Sequence, residues 1–187
     1  MKDRYGREID YLRISITDRC NLRCIYCMPE EGICQTAHKE ILTYDEIRRI
    51  CRCMTALGIK KIKLTGGEPL TRKDSAVLVR MLKELPGIEK VTLTTNGILL
   101  KEQMAELAEA GIDNINISLD TLNTEAFKKI TRREGLARVL EGLKEAMKYP
   151  QIGLKINCVP VLEDPENLIN LAEIASCLLY TSDAADE

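Results

Sequence analysis

"NINISLD", residues 114–120, decides the architecture. Ile115, Ile117 and Leu119 share one face of an extended chain, and Asn116, Ser118 and Asp120 share the other, because successive side chains of a strand point to opposite sides. The same division recurs outward in both directions. "YLRISIT" (11–17) sets Leu12, Ile14 and Ile16 against Arg13, Ser15 and Thr17, and "KIKLT" (61–65) sets Ile62 and Leu64 against Lys63 and Thr65. "KVTLTT" (90–95) opposes Val91 and Leu93 to Thr92 and Thr94, and "LKINCVP" (154–160) opposes Leu154, Ile156 and Cys158 to Lys155 and Asn157.

Amphipathic helical patterns separate these runs, which implies parallel pairing through crossovers. "TYDEI" (43–47) opens the first helix with a reciprocal capping box between Thr43 and Glu46, and Ile47, Ile50, Cys51, Met54 and Leu57 form its apolar stripe up to Gly58. A second helix carries Val77, Leu78, Met81, Leu82 and Leu85 and stops at Pro86-Gly87; a third runs from about Lys101 to Ala110. Two helical pieces follow the fourth strand, one around Phe127 and one through Leu136, Val139, Leu140, Leu143 and Met147. Asp164-Pro165 caps and starts a last helix.

A doubly wound sheet is covered on both faces, so its central strands read apolar throughout. Strands apolar on one face only, with helices on that side, must curl until the bare polar face lines a lumen. The expected fold is therefore α/β, a partial (β/α) TIM-like barrel with a polar interior. An antiparallel sheet with one wet face is the alternative, and the interposed helices disfavour it.

The 27 basic and 29 acidic residues nearly cancel, giving a formal charge of −2, which speaks against nucleic acid or a membrane surface as partner. No apolar stretch reaches membrane-spanning length and the polar N-terminus carries no signal-peptide pattern, so the expected location is cytoplasmic. Eight cysteines in that setting point to metal ligation, redox chemistry or packing rather than disulfides.

Three of them, Cys20, Cys24 and Cys27, crowd the loop "TDRCNLRCIYCMP" (17–29) directly after the first strand, at the end where barrels place their chemistry. A buried cysteine stripe on a helix fits poorly beside Asn21, Arg23 and Pro29. A zinc site needs a fourth ligand, for which Cys34 and His38 are the nearby candidates. Three thiolates also suit a [4Fe–4S] cube with one iron left open. Cys51 and Cys158 lie on apolar faces and are expected to pack, whereas Cys34 falls in a loop and His38 is expected at the surface.

Cys-x3-Cys-x-Tyr-Cys after a first strand, with "TGGEP" (65–69) after a second, resembles the radical SAM superfamily. The stretches "GREIDYLRISITDRCNLRCIYCMPEEG", "KIKLTGGEPLTR", "TLTTNG", "NISLDTL" and "LKINCV" together resemble the GTP 3′,8-cyclase family within it, from about Gly6 to Leu171. The resemblance implies a barrel of the radical SAM type, with about five of its six parallel strands present. It implies that Cys20, Cys24 and Cys27 hold one [4Fe–4S] cluster, whose open iron takes S-adenosylmethionine. Tyr26, Gly66, Gly67, Glu68 and Ser118 would then contact S-adenosylmethionine, and Arg13, Lys63, Thr94 and Lys155 would contact GTP. From the residues alone, Arg13, Lys63 and Lys155 converge on the polar face, where either a polyanion or the internal carboxylates Glu68 and Asp120 would balance them.

The resemblance further implies a 5′-deoxyadenosyl radical that takes hydrogen from the ribose C3′ of GTP, followed by attack on C8 of guanine, in the first step of molybdenum-cofactor synthesis. It brings an electron donor of flavodoxin or ferredoxin type and a homodimer of the full-length form. Nothing in the sequence singles out a general base, and Arg132 and Arg133 read as solvated helix-end charges. Family members add a sixth strand and a C-terminal region holding a second [4Fe–4S] cluster. Here residues 1–176 read as the radical SAM core and "CLLYTSDAADE" (177–187) matches no part of the pattern, so this tail is expected to be unrelated. The chain is accordingly expected to lack full cyclase activity and to expose the edge of its fifth strand. Two rivals stand beside this reading: another radical SAM enzyme, such as a peptide-modifying maturase, and a non-enzymatic zinc-binding domain.

Overall fold

The computed structural model describes residues 2, 4–161 and 165–178. One sheet of five parallel strands runs in chain order: β1 (Tyr11–Ser15), β2 (Lys61–Thr65), β3 (Lys90–Thr95), β4 (Asn114–Ser118) and β5 (Gly153–Asn157). Helices α1 (Tyr44–Ala56), α2 (Ser75–Lys83) and α3 (Leu100–Glu109) make the first three crossovers. The fourth holds both α4 (Thr124–Thr131) and α5 (Leu136–Ala146), and α6 (Pro165–Leu178) follows β5. This is the expected partial barrel.

The two-residue period of the strands sets the layers. Ile62, Leu64, Val91, Leu93, Ile115 and Ile117 are fully buried on the face that meets the helices, each burial contributing roughly 1.5–3 kcal/mol. The opposite face is polar and ordered in register. Arg13 pairs with Lys63, Lys63 with Thr92 and Thr92 with Asn114 in one layer; Thr94 pairs with Asn116 and Asn116 with Lys155 in the next. Above them, toward the strand ends, Ser118 pairs with Asn157.

Local signals account for most element ends. Thr43 and Glu46 form the reciprocal capping box, and Gly58, at φ +96, ends the turn after α1. Of the α1 stripe, Ile47 and Cys51 are buried while Ile50 and Leu57 are exposed. The helix packs against α2, and that contact leaves its outer apolar residues uncovered. Val77 on α2 is exposed in the same way.

β1 ends at Ser15, two residues before the sequence pattern does. Ile16 N–H still bonds Thr65 O, but Thr17 O takes the N–H of Gly67 and leaves the ladder. Similarly, β4 ends at Ser118 and β5 at Asn157. Cys158 packs half-buried against the core, as expected. Pro165 opens α6, whose backbone continues through Leu178; Asp164, the His38 side chain and residues 179–187 lie outside the described residues.

Candidate functional site

The loop after β1 is fastened at its base by the segment after β2. Gly67 N–H donates to Thr17 O and Glu68 N–H to Arg19 O, both at 2.7 Å. A Cβ on Gly67 would stand 2.3 Å from Arg19 O, and one on Gly66 2.5 Å from Thr17 O. The two glycines therefore let one backbone lie on another just before Cys20, a steric need that comes from the chain itself. Arg72, at the end of the same segment, closes the loop. Its guanidinium donates to Ile16 O and to Leu42 O, each at 2.7 Å, and lies 4.2 Å from the centre of the Tyr44 ring.

Glu68 is 1% exposed and its carboxylate is fully engaged. Leu70 N–H (3.0 Å) and Thr95 Oγ1 (2.7 Å) donate to Oε1, and Asn96 N–H (2.6 Å) donates to Oε2. Burial raises its pKa, and these hydrogen bonds oppose the rise. Asn96 passes the constraint on: its side-chain amide donates to Asn21 Oδ1 at 2.7 Å and lies 3.9 Å from Cys20 Sγ. Glu68 thus braces the cysteine loop from below. That is where the structure spends a side chain the sequence offered as a cofactor contact or a counter-ion.

Cys20 and Cys24 are half-buried, Cys27 is exposed, and all three are free thiols. A tight turn joins the last two, with Cys27 N–H and Met28 N–H donating to Cys24 O at 2.9 and 3.0 Å. Leu22 N–H points at Cys20 Sγ from 3.4 Å. Burial raises the Cys20 pKa. Burial, then the neighbouring Cys20, Asp120 and Cys27, push Cys24 up to about 11. Such thiols need positive charge before they ionise together. Among the described residues no three thiol, imidazole or carboxylate groups converge closely enough for a single metal ion. Three thiols on one loop would suit a polynuclear cluster, whose irons would supply that positive charge.

Tyr26 projects from this turn toward the mouth of the barrel. Its hydroxyl donates to Asp120 Oδ2 at 2.7 Å, and its pKa is raised by burial and then by that bond. Val159 N–H donates to Asp120 Oδ1 at 2.9 Å, and Asn167 of α6 donates to Asp120 O at 2.9 Å. Asp120 therefore ties the cysteine loop to the ends of β4 and β5, and its carboxylate serves that junction. A cavity of about 30 Å³, room for about one water, lies among Cys24, Tyr26, Asn96, Ser118 and Asp120. Ser118 is thus beside the loop. Thr94 and Lys155 fall one layer lower, and Arg13 and Lys63 one lower still.

Arg132 departs from the reading as a solvated charge. Its Nη1 donates to Arg23 O at 3.0 Å and to Met28 O at 3.1 Å. The spacing of residues in the sequence gave no sign of it, because the partners lie 109 and 104 positions away. Asn96 and Arg72 were similarly missed as individual residues, although "TLTTNG" and "KIKLTGGEPLTR" contain them. Cys51 is buried as expected, while Cys34 and Cys53 are exposed.

The model of the radical SAM superfamily matches residues 14–175. Among curated proteins, the chain is similar to the GTP 3′,8-cyclase of Peptoclostridium acidaminophilum, with 54% identity over 84% of this chain and 48% of the relative. It is also similar to molybdenum cofactor biosynthesis protein 1 of Dictyostelium discoideum, with 48% identity over 85% of this chain and 25% of that protein. The chain spans about half the length of the GTP 3′,8-cyclases it matches. In structure it resembles Streptococcus suis SuiB, with a TM-score of 0.73 and 25% identity over 89% of this chain and 36% of that one. The thiol loop at the mouth of a five-stranded partial barrel and the family match over nearly the whole chain agree: this protein belongs to the radical SAM superfamily.

Proposed function

We propose that the chain is the N-terminal, catalytic-core part of a GTP 3′,8-cyclase, which converts GTP to (8S)-3′,8-cyclo-7,8-dihydroguanosine 5′-triphosphate in molybdenum-cofactor synthesis. The observation that carries this reading is the polar layer beneath the thiol loop. Arg13, Lys63, Thr94 and Lys155 come from four strands and occupy two adjacent layers of one face.

Cys20, Cys24 and Cys27 hold a [4Fe–4S] cluster in this proposal, and the open iron takes S-adenosylmethionine. When bound, the pair supplies one-electron cleavage to a 5′-deoxyadenosyl radical. The chain's own residues do the rest. Tyr26 and Ser118 flank the adenosyl end, and the backbone of Gly66–Glu68 lies beside the methionyl end. The Arg13 guanidinium makes forked contacts to phosphate oxygens, with Lys63 and Lys155 as point charges and Thr94 as a hydroxyl donor. Exclusion of bulk water from the reacting carbon would fall to the longer protein, since Arg13 and Ser15 on the lumen face are exposed here.

Residues 1–176 form the core in this reading and 177–187 stand outside it. A second [4Fe–4S] cluster, a sixth strand, a flavodoxin- or ferredoxin-type donor and homodimerisation belong to the full-length cytoplasmic enzyme. Full cyclase activity is expected of that longer form. The test is equilibrium binding of GTP to the anaerobically reconstituted chain. Saturable binding that weakens about 10-fold or more in both Arg13→Ala and Lys155→Ala is expected, since a charge-assisted hydrogen bond contributes about 1.5–3 kcal/mol. Absence of GTP binding by a chain that does hold its cluster would favour a radical SAM enzyme with another substrate.

A further inference from the structure

We propose that Arg132 is a positioning residue for the thiol loop, setting the separation of Cys24 and Cys27 from outside the site. This rests on the cluster reading above. One nitrogen, Nη1, donates to both Arg23 O (3.0 Å) and Met28 O (3.1 Å). These two carbonyls bracket residues 24–27, the stretch that carries both thiols. A donor shared between them holds the two ends of that stretch no further apart than the two bond lengths combined.

The support is continuous with the fold. Arg132 follows α4, whose final carbonyls have no partners within the helix. Thr131 O accepts from Arg23 N–H and Ile130 O from Ile25 N–H, both at 2.9 Å. The consecutive residues 130–132 therefore all bond the loop, at Arg23, Ile25 and Met28. Arg132 reaches this position by adopting left-handed backbone angles, φ +54 and ψ 21, where glycine or asparagine is usual. A long charged side chain is held in that conformation with 29% of it exposed, and Glu30 lies 4.0 Å from its Nε. Arg133 provides the contrast: among the described residues its guanidinium donates to the adjacent Arg132 O, at 2.8 Å, and not to the loop.

Arg132→Gly removes the guanidinium and suits the backbone angles, so the fold survives the change. Arg133→Ala is the control. Two rates are measured: removal of iron from the reconstituted chain by a ferrous chelator, and tryptic cleavage of the Arg23–Cys24 bond in the unloaded chain. Both rise about 10-fold or more in Arg132→Gly, as expected for losing charge-assisted hydrogen bonds, and stay unchanged in Arg133→Ala. Added ethylguanidinium slows iron removal again, whereas ethylammonium, with equal charge and no fork, does not. The tryptic rate is read without added cations, because alkylguanidinium also occupies trypsin's own cation pocket. Wild-type rates in Arg132→Gly, or equal rescue by the two cations, would overturn the proposal. A wild-type chain that retains no iron would instead refute the cluster reading, and the tryptic rate would still decide whether Arg132 holds the loop.

Discussion

Cys24 is subject to burial and to two neighbouring thiols and a carboxylate, all acting in the same direction. In the unloaded chain burial and these neighbours push its pKa up to about 11. The sign for stability follows from where the proton is held. Above about pH 9 the unfolded chain releases it first, so the unloaded fold weakens as pH rises from 9 to 11. Chemical reactivity follows the thiolate. Alkylation of Cys24 by iodoacetamide, followed by peptide mass spectrometry, should accelerate about 10-fold per pH unit up to about pH 11. An ordinary thiol, with a pKa of about 8.5, levels off near pH 9. A plateau for Cys24 below pH 10 would show that the thiol is not buried as described.

The element that organises the site is the segment from Gly66 to Arg72. Its glycines stood out in the sequence as contacts that the resemblance implies, but not for the backbone they lie against. That backbone is the one at Thr17 and Arg19, brought there by pairing of β1 with β2. Glu68 likewise stood out in its motif, and only the folded position shows that its carboxylate collects donors from Leu70, Thr95 and Asn96. Gly67→Ala places a methyl group 2.3 Å from Arg19 O, a backbone atom with little room to retreat. The loop must then lift from the segment, breaking the Gly67–Thr17 and Glu68–Arg19 bonds. The expected result is a chain with near-wild-type helical circular dichroism that retains less than about a tenth of the iron, two lost backbone hydrogen bonds costing about 1–3 kcal/mol. Full iron retention in this variant would contradict the docking.

At the scale of the molecule, the period-two division of "NINISLD" and its counterparts was sufficient to foretell a one-faced parallel sheet, since burial on one side only leaves a strand this signature. Strand ends and the outer face of α1 were less legible, because they depend on which neighbour is present: β1 and β5 are the two edges of the sheet, and α1 packs against α2. The clamps formed by Arg72, Asn96, Asp120 and Arg132 join segments remote in sequence, so no local pattern announces them. They converge on one loop, and the barrel acts as the frame that holds three thiols over a polar lumen. The most direct test is anaerobic reconstitution of the chain with iron and sulfide, followed by reduction in the presence of S-adenosylmethionine. The predicted result is about four irons and four sulfides per chain, with 5′-deoxyadenosine released by the wild type and none by Cys24→Ser. One zinc per chain without sulfide, or a full complement of iron that yields no 5′-deoxyadenosine, would contradict it.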